Sequence, residues 1–243
     1  MKAKAKVVEK LPALKRGGGN VHTSVAEAIG KRIVRGEFLP GSILPNEAQW
    51  AADFKVSRSA VREAIKILMA KNLLVSRPKI GSRVEPKENW SLLDHDILTW
   101  YATAPNRAKF LLSLQQFRYI VEPEAAALAA EHHTDEQMKA ISMACRDMAT
   151  APSLAQRTEA DVQFHLAILR ASHNELLFPL GVIIDQALNS LFILLTRRAK
   201  DLHHAQDLHD KIERAIRLRQ PQAARLAVRK LLDNSDALIR KQR

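Results

Sequence analysis

One cysteine, Cys145, is all that the 243 residues contain. This excludes an intramolecular disulfide framework and a cysteine-rich zinc module, and it suits a reducing compartment, the cytoplasm. A secretory leader is missing too. The opening "MKAKAKVVEKLPALKRGGGN" is basic and then glycine-rich, with no apolar stretch or small-residue cleavage site, and reads as a flexible leader over residues 1–20. No uninterrupted apolar run is long enough to span a bilayer. The most apolar window, 176–195, carries Pro179, Asp185, Gln186 and Asn189, which predicts a buried helix rather than a membrane span. There is no phosphate loop and no Ser or Cys nucleophile constellation.

What is present is a chain long enough for one large or two modest domains, with 47% hydrophobic residues to supply a core. Its charge is unevenly spread. Residues 1–90 hold 18 Lys and Arg against 8 Asp and Glu, net +10, whereas residues 91–243 hold 20 against 18, net +2. A basic first third joined to a near-neutral remainder predicts that only the first part meets a polyanion.

Within that first part, Val21, Val25, Ile29 and Ile33 recur every fourth residue. They form the apolar stripe of a helix that ends at the Gly36, Pro40 and Gly41 punctuation. A short helix begins after Pro45, with Asn46 as N-cap and Gln49 at the capping-box position. A third begins after Ser57, its apolar positions Val61, Ala64, Ile65 and Leu68 following the helical period. The opposite face carries Arg58, Arg62 and Lys66, with Ser59 beside Arg58. That is what a recognition helix presents to the major groove, Arg pairing bidentately with guanine and Ser or Lys holding phosphates. Two short runs, 73–77 and 82–84, flank a Pro78/Gly81 turn and predict a hairpin bearing Arg77, Lys79 and Arg83. Three helices followed by a basic hairpin describe a winged helix-turn-helix over residues 21–86, binding double-stranded DNA.

These residues carry a resemblance. "GEFLPGSILPNEAQWAADFKVSRSAVREAIKILMAKNLL", followed by "IGSRV", resembles the DNA-binding domain of GntR-family bacterial regulators through its Pro-Gly, Leu-Pro-x-Glu, Val-Ser-Arg and Val-Arg-Glu-Ala elements and its Gly-containing wing. The resemblance implies operator contacts from Arg58, Ser59 and Arg62 and from the wing around Lys79 and Gly81. Many relatives carry Arg after the Glu of Leu-Pro-x-Glu; this chain has Ala48 there, so one expected DNA contact is missing.

From residue 87 to 243 there are no alternating strand runs, and Ala, Leu, Gln, Arg and Glu dominate. Breaks near 103–107, 132–135, 150–153, 172–179, 199–206 and 220–221 predict about seven helices, with His203 and His204 in a surface loop. The chain is thus mostly α. In "EADVQFHLAIL", residues 159–169, Asp161 and His165 lie four apart on one helix face, either a helix-stabilising pair or part of a site.

This half resembles the FCD domain that defines the FadR subfamily of GntR regulators, an effector-binding and dimerising helical bundle. "FRYIVEPEAAALAA", "DVQFHLAILRASHNELL" and "LHDKIERAIRLRQPQAARLAVRKLL" carry the likeness. The connector "NWSLLDHDILTW" is similar to that of regulators of galactonate and related sugar-acid operons. The resemblance implies a homodimeric repressor relieved by a sugar-acid or other small carboxylate effector. It also implies a divalent metal, Zn²⁺ or Ni²⁺, on Asp161, His165 and His209, with Leu231 at the position of a fourth ligand. His209 is otherwise a hydrogen-bonded core histidine. Arg118 matches a position lining the effector cavity, where a guanidinium grips a carboxylate bidentately; its alternative is a salt bridge to Glu122 or Glu159. Arg197 and Asn174 are further effector-contact candidates, and helix capping explains Asn174 equally well. The competing reading is a metal-dependent phosphohydrolase of the HD type built on His165, His209-Asp210 and Asp233. On a helix, however, Asp210 points about 100° away from His209.

Overall fold

A computed structural model describes residues 20–77, 81–105, 107–195 and 199–240, apart from the side chains of 191–202 and 238–240. The leader up to residue 19, Lys79 and Arg197 lie outside the described residues. Ten α-helices and one two-stranded hairpin occur among those described, in two compact units that divide after Pro105.

The first unit holds α1 (Val21–Val34), α2 (Glu47–Phe54), α3 (Arg58–Ala70), β1 (Leu74–Arg77), β2 (Gly81–Val84) and α4 (His95–Ala102). The predicted local chemistry fixes the starts of α2 and α3. Asn46 and Gln49 form a reciprocal capping box on α2, and the Ser57 hydroxyl accepts from the Ala60 N–H at the head of α3. Val25, Ile29 and Ile33 of α1 share one core with Val61, Ala64, Ile65 and Leu68 of α3 and with Leu74 and Val84 of the hairpin. β1 and β2 pair antiparallel from Leu74 opposite Val84 to Arg77 opposite Gly81, and an isolated bridge ties Ile43 to Arg83. Gly81 stands at φ 96°, where only glycine is unstrained, at the start of β2.

The sequence reading assigned residues 87–105 to the second domain, whereas here they pack in the first. Trp90, Ile97 and Trp100 are buried in the core around α1 and α3, removing large aromatic surfaces from water. Gly30 of α1 makes room for this: a Cβ there would stand 2.2 Å from Trp100 Cζ3.

The second unit is all-helical: α5 (Ala108–His132), α6 (Asp135–Thr150), α7 (Leu154–Ala171), α8 (Gly181–Leu195), α9 (Ala199–Arg217) and α10 (Pro221–Arg240). With α4, these are the seven predicted helices. Thr134 and Gln137 form a capping box on α6, Ser153 caps α7, and Pro221 occupies the first position of α10, where its missing N–H costs nothing. Ala125, Ala126, Ala129 and Ala130 of α5 are fully buried against a core that includes Ile141, Phe164, Ile212 and Leu232; the small side chains let the helix axes approach closely. His203 and His204 lie in α9 rather than in a loop, and both are exposed. No helix among the described residues is long and apolar enough to cross a membrane. In the apolar α8, Gln186 and Ser190 are buried and satisfy each other, Gln186 Nε2 donating to Ser190 Oγ at 3.2 Å.

Candidate DNA-binding face and metal centre

Two sites emerge, one in each unit. On α3 the apolar stripe faces the core, so Ser57, Arg58, Ser59, Arg62 and Lys66 all face outward and are exposed. Exposed Gly81 opens β2, and Arg77 is exposed on β1. Arg62 is engaged by Glu47, and Lys66 pairs with Glu63 at 2.9 Å. The Ser57 and Ser59 hydroxyls lie 2.9 Å apart. A helix of helix-turn-helix origin with cations and hydroxyls along one exposed face can sit in a major groove, with the hairpin beside it.

The second site is assembled from three helices. Asp161 and His165 stand one turn apart on α7, and α9 brings in His209. His165 Nε2 lies 3.3 Å from Asp161 Oδ1, and His209 Nε2 lies 3.2 Å from the same oxygen. These three atoms lie within 4.8 Å of one another, and each is buried without a hydrogen-bond partner. The two separations from Asp161 Oδ1 are close to the edge of a tetrahedral shell, about 3.4 Å for metal–ligand distances of about 2.1 Å. Both imidazoles also have the other nitrogen held. His209 Nδ1 faces the Ala205 carbonyl at 2.7 Å, and His165 Nδ1 faces Glu122 Oε2 at 2.9 Å. Such outer contacts orient a metal-binding histidine and leave Nε2 for the ion. Phe164 packs edge-on against both rings.

Glu122, on α5, is the member that the sequence reading missed as a histidine partner. Its other oxygen, Oε1, accepts from Arg118 Nε at 2.5 Å, and Arg118 Nη2 donates to Oε2 at 3.3 Å. The salt bridge raised as the alternative for Arg118 is therefore present. Arg118 is nevertheless 1% exposed, and its Nη1 is buried without a hydrogen-bond partner.

The electrostatics favour positive charge at this spot. Burial alone would push the Glu122 carboxyl up, but Arg118 and then His165 outweigh it and hold it at about 2. Burial opposes ionisation of Asp161 as well, yet His209 and His165 keep its carboxyl well below the usual range. Burial would lower His165, and the flanking Glu122 and Asp161 instead raise it to about 9. Two carboxylates against one guanidinium leave one negative charge to balance, by a proton on His165 or by a cation on the converging atoms.

The remaining candidates lie elsewhere. Leu231 is a core residue of α10. Asn174 is exposed in the turn after α7, its Oδ1 accepting from the Leu176 N–H to close that turn; it caps neither α7, which ends at its C-cap Ser172, nor the helical turn that follows Leu177. Asp210 faces away from the histidines and takes Gln206 Nε2 at 2.9 Å and the Cys145 thiol at 3.4 Å, while Asp233 accepts from the Tyr119 hydroxyl. The HD arrangement is therefore not assembled.

The chain matches the family described as bacterial regulatory proteins, gntR family, over residues 22–84, and the FCD domain over residues 113–234. It is 35% identical over 220 residues to the uncharacterised HTH-type transcriptional regulator YieP of Escherichia coli K12, covering 89% of this chain and 94% of that one. It is 34% identical over 165 residues to the galactonate operon transcriptional repressor of the same organism, covering 68% of this chain and 72% of that one. The fold is shared with the solved structure of Lar of Listeria monocytogenes, with a TM-score of 0.64 over 94% of this chain and all of that one, at 17% identity. These relatives are transcriptional regulators and not enzymes. From the winged helix, the helical domain and these likenesses together, the chain belongs to the GntR family of DNA-binding transcriptional regulators, with an FCD domain following the DNA-binding one.

Proposed function

We propose that this regulator is a cytoplasmic, homodimeric repressor of an operon for catabolism of a sugar acid or related carboxylate. In this reading its helical domain holds a divalent metal, Zn²⁺ or Ni²⁺, and beside it a carboxylate effector. The observation that carries the reading is the convergence of three buried donor atoms, Asp161 Oδ1, His165 Nε2 and His209 Nε2, that face one another at ion-pair distance in the FCD domain without a well-formed hydrogen bond, with the unfilled Nη1 of Arg118 buried in the same domain. Similarity to the galactonate repressor supports the effector class.

A bound ion would supply a Lewis-acidic point for an effector oxygen. The chain's own residues do the rest: Asp161, His165 and His209 bind the ion, Glu122 and the Ala205 carbonyl orient the imidazoles, and Arg118 Nη1 offers donors to a carboxylate. In the other domain Arg58, Ser59, Arg62 and the wing contact the operator. A two-fold dimer presents two α3 helices to half-sites about one helical turn apart. Effector binding favours an arrangement that no longer fits that spacing, to the extent that the effector binds it more tightly.

A thermal-shift screen of sugar acids and other small carboxylates, with and without Zn²⁺ or Ni²⁺, tests this. At a hundredfold excess over Kd a true effector raises the melting temperature by about 5–10 °C. No shift with any carboxylate in either condition would contradict the reading.

A further inference from the structure

Arg62 lies on the exposed face of α3, one turn beyond Arg58, and is held across the helix-turn-helix by Glu47, the first residue of α2. The grip is a fork: Arg62 Nε donates to Glu47 Oε1 at 3.1 Å, and Nη2 donates to Oε2 at 2.8 Å. A guanidinium has five N–H groups in one plane. The fork takes two of them along one edge. Both N–H groups of Nη1 and one of Nη2 remain, and together they form the end-on edge that pairs with O6 and N7 of guanine.

Stability does not account for the pair. Its side chains are 63% and 38% exposed, and exposed ion pairs contribute little. The start of α2 is already secured by the Asn46/Gln49 box. Arg58, on the same face, has no such clamp among the described residues. What the fork does is fix a plane: it removes rotamer freedom from Arg62 before any DNA arrives. It also sets one negative charge beside the DNA-facing surface, where a phosphate is disfavoured and a base edge is not.

We infer that Glu47 is a specificity-determining positioning residue, which orients the Arg62 guanidinium to read one guanine per half-site and weakens seating on arbitrary sequence. This rests on the reading that α3 enters the DNA groove.

The test uses the full chain. Duplexes are selected by the protein from a randomised pool, and affinities are then measured for the selected duplex, for its single-base variants and for a scrambled duplex. The selected site should contain a guanine whose preference is lost in Arg62→Lys, which keeps the charge but cannot fork. Glu47→Gln and Glu47→Asp should each relax preference at that same position, with guanine discrimination falling about tenfold. Binding to the scrambled duplex should hold steady for Glu47→Asp and tighten for Glu47→Gln, which removes a negative charge. Asp suits the first turn of a helix, so Glu47→Asp guards against a folding defect. Full guanine preference in both Glu47 variants overturns the inference, as does a parallel loss of selected and scrambled binding, the mark of a purely structural role. If the unaltered protein selects no site at all, the DNA-reading assignment of α3 falls with it.

Discussion

Glu122 takes Arg118 on both oxygens and His165 on Oε2, and so links the Asp161/His165/His209 cluster to the buried guanidinium. Replacing it by Gln leaves a group that can accept from only one of them. Glu122→Gln should therefore lower zinc affinity by about 10–100-fold, read by competition with a chromophoric chelator, because His165 loses its orienting acceptor. An unchanged affinity would show that His165 is oriented by packing alone. Arg118 calls for a gentler substitution. Arg118→Ala leaves a buried carboxylate short of its main partner and should cost about 3–5 kcal/mol, measured by chemical denaturation. Arg118→Lys keeps the charge, loses the fork and probes the effector contact without that penalty. At this scale the sequence was informative for two pairs that lie one helical turn apart, with Glu159 as the other partner offered for Arg118. Asp161 with His165 and Arg118 with Glu122 are both four-residue pairs, and both were named. Glu122 with His165 was not, because it joins α5 to α7 across the core and leaves no periodic trace.

Elements were legible where local chemistry decides them. The Asn46/Gln49 box, the Ser57 cap and the breaks after α5, α6, α7 and α9 stand where turn and cap residues cluster. Where composition and packing disagree, packing prevailed. His203 and His204 looked like loop residues but continue α9, a strongly amphipathic helix whose Leu208, Ile212 and Ile216 are buried. The connector after the wing carried the same lesson: Trp90 and Trp100 find their apolar partners on α1 and α3, a choice that no local signal records. That packing depends on Gly30, since a methyl group there would collide with the Trp100 ring. Gly30→Ala should accordingly destabilise the DNA-binding unit by about 1–3 kcal/mol, seen as an earlier unfolding transition in calorimetry. No change would mean that α4 is held to α1 by less than the close contact suggests.

At the scale of the whole molecule, charge and chemistry are both unevenly shared between the two units. The first unit, 18 Lys and Arg against 10 Asp and Glu over residues 1–105, carries the exposed cationic face of α3, and the helical unit, 20 against 16 over residues 106–243, carries the buried ligand cluster. If that division of labour holds, Arg58→Ala with Arg62→Ala abolishes selective DNA binding in a gel shift while leaving metal content and oligomeric state as they were. If the helical unit is a metal-dependent sensor, Asp161, His165 and His209 hold its ion, and metal content decides the matter. Purified protein, loaded with Zn²⁺ or Ni²⁺ and dialysed, is assayed by inductively coupled plasma mass spectrometry beside His165→Ala/His209→Ala. About one ion per chain is expected in the parent and none retained in the variant. Equal metal in both, or none in the parent, would contradict it.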